Sequence, residues 1–138
     1  DELALKRGVK CRCIRCREIQ NREIKNPELK TSGYDASGGK EYFISIEEND
    51  FIIGFCRLRI AGDVAFVREL HVYGSAEEIG ETGKTQHRGF GKQLMKKAEE
   101  IAKTSKVKKI KVISGVGVRE YYRKMGYKKE GSYMVKKV

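Results

Sequence analysis

Apolar and polar positions alternate in short runs through the first half of the chain and form a helical stripe in the second. Glu41-Tyr42-Phe43-Ile44-Ser45-Ile46-Glu47 alternates and predicts a strand. Asn49-Asp50 is a turn signal, and residues 51–60 predict the next strand, so the two are expected to form a hairpin. Gly62-Asp63 is a second turn, and residues 64–73 continue the meander. Residues 74–85 are polar and glycine-bearing, hence a loop. Residues 26–40, with the only proline, Pro27, and with Gly33, Gly38 and Gly39, are also expected to be a loop.

The period changes at Gly89. Phe90, Leu94, Ala98, Ile101 and Ala102 fall on one face of a helix running to Thr104. Residues 106–113, with Val107, Ile110 and Val112, predict a strand. Residues 118–125 predict a short helix stopped by Gly126. Residues 127–136 predict one or two closing strands around Gly131, and residues 11–19 a further strand near the start. Strands, helix, strand, helix, strand is the order of an α/β protein, a mixed sheet flanked by helices.

With 138 residues the chain suits one compact domain, and 39% apolar content gives it a core. No apolar run approaches the ~20 residues that cross a bilayer. The charged N-terminus lacks the apolar stretch of a secretory signal. These features predict a cytoplasmic protein with no membrane partner. The chain begins at Asp1 and is expected to be part of something longer.

Charge sharpens the picture. The net charge is +11, yet residues 1–83 hold 13 Lys/Arg against 15 Asp/Glu, and residues 84–138 hold 17 against 4. The basic half calls for an anionic partner, either nucleotide phosphates or nucleic acid. A solvated lysine-rich surface is the alternative. Three of the four cysteines form Cys11-x-Cys13-x-x-Cys16. Clustered thiolates suit zinc, with Cys56, His71 or a residue of a further domain as the candidate fourth ligand. The alternative is three reduced thiols.

The strongest motif is Gln86-His87-Arg88-Gly89-Phe90-Gly91, which opens the amphipathic helix. A glycine-bearing turn at a helix N-terminus presents unpaired N–H groups and the positive end of the dipole. Glycines there allow close approach to phosphate, and Arg88 and Lys92 add full charges. The third glycine of a dinucleotide fingerprint and the Gly-Lys-Ser/Thr of a P-loop are missing.

This turn resembles the pyrophosphate loop of the GNAT acetyltransferase superfamily. The family's second signature, an aromatic-Tyr pair followed by Gly-aromatic, is matched by Tyr121-Tyr122-Arg123-Lys124-Met125-Gly126-Tyr127. The resemblance implies a GNAT fold: a mixed, mostly antiparallel sheet flanked by helices and splayed between its fourth and fifth strands. It also implies acetyl-CoA, its pantetheine arm in the splay and its pyrophosphate on the turn. Cofactor-binding residues would be Glu69, Leu70, His71, Val72, Arg88, Gly89, Phe90, Gly91, Lys92 and Tyr122. Tyr122 is expected to face the coenzyme and protonate the departing thiolate, while Tyr121 packs. Glu69 is a candidate base, with a carboxylate paired to Arg68 or Arg57 as the alternative.

Val67-Arg68-Glu69-Leu70-His71-Val72-Tyr73-Gly74, Ile113-Ser114-Gly115-Val116-Gly117-Val118-Arg119 and Tyr133-Met134-Val135-Lys136, with the strings above, are similar to the acetyltransferase-like domain of the Elongator catalytic-subunit family, expected in its archaeal form. That family joins this domain to a radical-SAM domain and modifies tRNA wobble uridine at carbon 5. The resemblance divides the chain into a linker and metal-binding segment, residues 1–20, and the GNAT domain, residues 21–138. It implies tRNA and the radical-SAM domain as partners. An iron-sulfur cluster with S-adenosylmethionine needs Cys-x-x-x-Cys-x-x-Cys, which this chain lacks. Two other readings stay open: a protein-lysine or small-amine N-acetyltransferase, and a basic tRNA-binding module with a vestigial coenzyme site.

Overall fold

The computed structural model describes residues 24–73, 89–113 and 118–138. Its first half is built on three two-residue turns. Strands β1 (Glu28–Ala36), β2 (Gly39–Glu48), β3 (Phe51–Ala61) and β4 (Val64–Val72) pair in succession, all antiparallel. Ala36 meets Gly39 across Ser37-Gly38, and Glu48 meets Phe51 across Asn49-Asp50. All four turn residues have positive φ (47°, 78°, 50° and 70°), as type I′ hairpins require. Gly62, at φ 62°, turns β3 into β4.

The expected loop over residues 26–40 is therefore corrected, because Glu28–Ala36 is a strand. Every residue in it except Ala36 is exposed. As an edge strand it is held by backbone pairing to β2 and buries no apolar face, so it carries no hydrophobic period. The Ser37-Gly38 pair was its one sequence signal.

The second half contributes α1 (Phe90–Thr104), β5 (Lys109–Ile113), α2 (Arg119–Arg123), β6 (Lys128–Glu130) and β7 (Tyr133–Lys137). The seven strands lie in the order β1-β2-β3-β4-β5-β7-β6, with β4–β5 the parallel pair. Helix α1 buries Phe90, Leu94, Met95, Ala98 and Ala102 against Ile44, Ile46, Leu58, Ala65 and Val67. It ends with Lys106 in the left-handed region, φ 63°. The Val107 N–H bonds the Ala102 carbonyl at 3.2 Å, and the Lys106 N–H that of Lys103 at 3.1 Å. This closure takes up Lys106 and Val107, so β5 starts at Lys109 rather than 106.

Both helices pack on the same face of the sheet, sharing one core through Phe90, Leu94 and Tyr122. Among the described residues the opposite face carries no helix. A polar knot anchors α2. The Tyr127 hydroxyl donates to Glu99 Oε2 at 2.7 Å, and Lys136 Nζ reaches Glu99 Oε1 at 3.1 Å and the Met125 carbonyl at 2.9 Å. Three elements, α1, the end of α2 and β7, thus meet at one carboxylate. No described helix is long and apolar enough to cross a membrane. The strand expected over residues 11–19 and the boundary at residue 20 lie outside the described residues.

Candidate functional site

The site begins with one extra residue. Arg57 pairs with Glu69 but Leu58 pairs with Val67, so Arg68 is a bulge on β4. A bulge bends its strand and sharpens the twist. Pairing of β4 with β5 covers only Val64 to Val67, with Val67 opposite Val112. The strands part where the bulge sits. From Arg68 to Val72 the β5-facing edge of β4 has no ladder partner among the described residues. Its backbone donors and acceptors are available to an extended ligand.

The bulge also switches faces. Ala65 and Val67 point to the core before it; Leu70 and Val72 do so after it. Glu69 and His71 fall on the opposite face. There Arg57 Nε lies 3.6 Å from Glu69 Oε1, with both side chains half exposed. Arg68 turns instead to Glu41 at 3.5 Å, a carboxylate that Arg59 also binds at 2.7 Å. His71 packs edge-on to Tyr73, ring centres 4.6 Å apart, and 5.9 Å from Phe55. Glu69 is thus paired with Arg57, and His71 packs among aromatic rings.

Beside the opening, α1 starts without a side-chain cap. Its N-cap, Gly89, is left-handed (φ 61°, ψ 45°), and no acidic residue occupies the first turn. The first helical bond runs from the Gln93 N–H to the Gly89 carbonyl at 2.9 Å. An uncapped first turn with Lys92 in it attracts anions. A Cβ on Gly89 would meet open space, so its glycine serves the backbone conformation. Gly91 differs. A Cβ there would overlap the Tyr121 hydroxyl and lie 3.9 Å from Val72 Cγ2. Its small size lets α2, α1 and the end of β4 converge. Gln86, His87 and Arg88 lie outside the described residues. Phe90 is 4% exposed, so its ring belongs to the core.

The two adjacent tyrosines differ in exposure. Tyr122 is the packed ring, 6% exposed and 5.8 Å from Tyr127, while Tyr121 is the open one. Burial pushes the Tyr122 phenol up to about 12, with Tyr121 and Cys56 nearby adding to the shift. Burial likewise raises the Cys56 thiol to about 12. Cys56 is closed in the core. Among the described residues no three His, Cys, Asp or Glu side chains gather as a metal site. Cys11, Cys13 and Cys16 lie outside the described residues.

These raised values carry a stability prediction. The ordinary thiol and phenol titrate near 9.0 and 10.0. Below pH 9 the stabilisation from holding both protonated is complete. It is lost as pH rises toward 12, because unfolding then releases protons that the native state retains. The urea midpoint is expected to fall through this window, and Tyr122→Phe to flatten the upper part of the fall. A pH-independent midpoint there would show Tyr122 and Cys56 to be hydrated.

The sequence missed two features: the bulge at Arg68, whose only trace is two adjacent polar residues interrupting the alternation of β4, and the contact of Tyr121 with Gly91.

Comparison with known proteins agrees with this geometry. A family model described as "Acetyltransferase (GNAT) family" matches residues 13–127. The tRNA uridine(34) acetyltransferase of Methanocaldococcus infernus is 46% identical over 96% of this chain, which spans 29% of that relative. Elongator complex protein 3 of Danio rerio is 50% identical over 75% of this chain, with 22% of its own length covered. The solved structure of Methanocaldococcus infernus Elp3 with an N-terminal deletion superposes with a TM-score of 0.83 at 41% identity. It covers 99% of this chain and 38% of that one.

Proposed function

The chain belongs to the GNAT acetyltransferase family, and from that premise we propose that it binds acetyl-CoA in the splay and acts as the acetyltransferase-like domain of an Elongator-type enzyme modifying tRNA wobble uridine at carbon 5. The observation carrying this reading is the parting of β4 from β5 at Arg68, beside the uncapped start of α1. One site thus offers a free strand edge to an extended arm and a positive helix end to its phosphates.

In this reading the backbone of Glu69, Leu70, His71 and Val72 bonds the pantetheine arm and the thioester carbonyl. Gly89, Phe90 and Gly91 give N–H groups to the pyrophosphate, and Arg88 and Lys92 add charge. The thioester supplies an activated acetyl group. Tyr122 stays neutral and protonated, a donor for a departing thiolate. Glu69, exposed at the bulge, is the base. The tRNA and the radical-SAM domain are the partners of the longer enzyme. The similarity to relatives with tRNA uridine and Elongator names supports this assignment over a general amine acetyltransferase.

Calorimetric titration with a non-hydrolysable acetyl-CoA analogue tests the site. Lys92→Gln is expected to weaken binding about fivefold, the worth of one charge near a phosphate. Lys103→Gln, at the far end of α1, is expected to leave it unchanged. Tyr122→Phe should lower turnover at unchanged affinity. Absence of binding by the unaltered chain overturns the reading.

A further inference from the structure

We propose that the face of the sheet over β5, β7 and β6, which carries no helix among the described residues, is an RNA-binding surface; this deepens the tRNA reading above and rests on it. Strand alternation sends Ile110, Val112 and Met134 into the core and leaves Lys109, Lys111, Tyr133 and Lys137 on the opposite face. Phe66 partners Lys111 across β4, and Lys128 joins the same face across β6. The four lysines therefore spring from backbone positions about 7 Å apart along a strand and about 5 Å apart between strands. They surround two rings. Phe66 and Tyr133 lie 6.2 Å apart, and Lys111 Nζ is 5.4 Å from the Tyr133 ring centre.

Two features mark these cations as serving a partner. Lys109 and Lys137 are direct register partners, and like charges so placed repel. Among the described residues none of the four lysines joins an ion pair. Farther across the same face, by contrast, Lys30, Arg57 and Arg59 each have a carboxylate. One acidic residue, Glu130 opposite Tyr133, shares the face with the four lysines, so a net positive charge remains there at a cost to the fold. Phosphates answer the lysines, and unstacked bases answer the rings, the combination by which flat sheets take single-stranded RNA. An acidic protein segment would answer the charge alone. Ile113, 67% exposed and the partner of Tyr133, carries the face to where β4 and β5 part. The surface thus leads to the acetyl opening.

Fluorescence anisotropy with an unmodified tRNA transcript, at several salt concentrations, tests this. The triple variant Lys109→Gln, Lys111→Gln, Lys137→Gln is expected to bind about thirtyfold more weakly. Its log–log salt slope should shrink by about one for each lysine that meets a phosphate. Tyr133→Leu is expected to cost about tenfold with the slope kept. A control pair on α1, Lys96→Gln and Lys97→Gln, should bind as the unaltered chain does, and the triple variant should melt no lower. The proposal is overturned if the unaltered chain binds no tRNA, if the triple variant binds normally, or if the control loses as much. It is also overturned if polyglutamate displaces the transcript as well as unlabelled RNA does, which would assign the face to an acidic protein. Acetyl-CoA titration of the triple variant runs alongside. Failure there bears on the coenzyme site and leaves the RNA surface to be judged by its own titration.

Discussion

Replacing Gly91 with valine is expected to weaken acetyl-CoA binding about a hundredfold, roughly the worth of two charge-assisted hydrogen bonds. The position has no room for a side chain. Its Cβ would overlap the Tyr121 hydroxyl, with Val72 Cγ2 3.9 Å away on the other side. Valine must push α1 off the end of β4 or drive Tyr121 outward, and either movement misaligns the first-turn N–H groups with the strand edge. The loss of fold stability is expected to be smaller, about 1–2 kcal/mol, because Tyr121 is open enough to swing aside. The attribution can be checked with two further variants. Gly91→Ala alone should weaken binding, and adding Tyr121→Phe should restore part of it by removing the overlapped oxygen. If the double variant binds no better than Gly91→Ala, the overlap is not the cause.

The largest stability effect is expected at Tyr127. Its ring is 2% exposed, packs on Tyr122, and carries the hydroxyl that binds Glu99. Tyr127→Ala is expected to cost about 4 kcal/mol in urea denaturation. Against a typical total of about 5–15 kcal/mol, that leaves the domain close to unfolding. Tyr127→Phe removes only the hydroxyl and should cost about 1 kcal/mol, since Glu99 keeps Lys136 at 3.1 Å. A loss below about 1.5 kcal/mol for the alanine variant would mean that α2 is anchored elsewhere.

Much of this architecture was legible in the sequence, for physical reasons. The α1 stripe was readable because one face packs and the other is wet; Met95 extends it. The β2, β3 and β4 meander was readable because its turns need residues that tolerate positive φ. The strand β1 was not, because it is held chiefly by backbone pairing to β2, which any polar residue can supply. The phosphate turn was legible as chemistry, whereas the splay rests on a register shift at Arg68 that leaves almost no compositional trace. The roles of the two tyrosines depend on which ring the core takes. Adjacent identical residues cannot encode that without their surroundings.

The same turns that made the meander legible also set when each part of the molecule can form. Strands β1 to β4 close through two-residue links, so their contacts join neighbours in the chain and need little loop entropy. The acetyl opening depends on β5 lying parallel to β4, a pairing between residues as far apart as Val64 and Lys109. Its entropic cost falls after the meander is in place. A ribosome releasing this chain would therefore expose the four paired strands, and then α1 to cover their apolar face, before Tyr121, Tyr122, β5 and β7 have emerged, and the site would be the last part of the domain to exist.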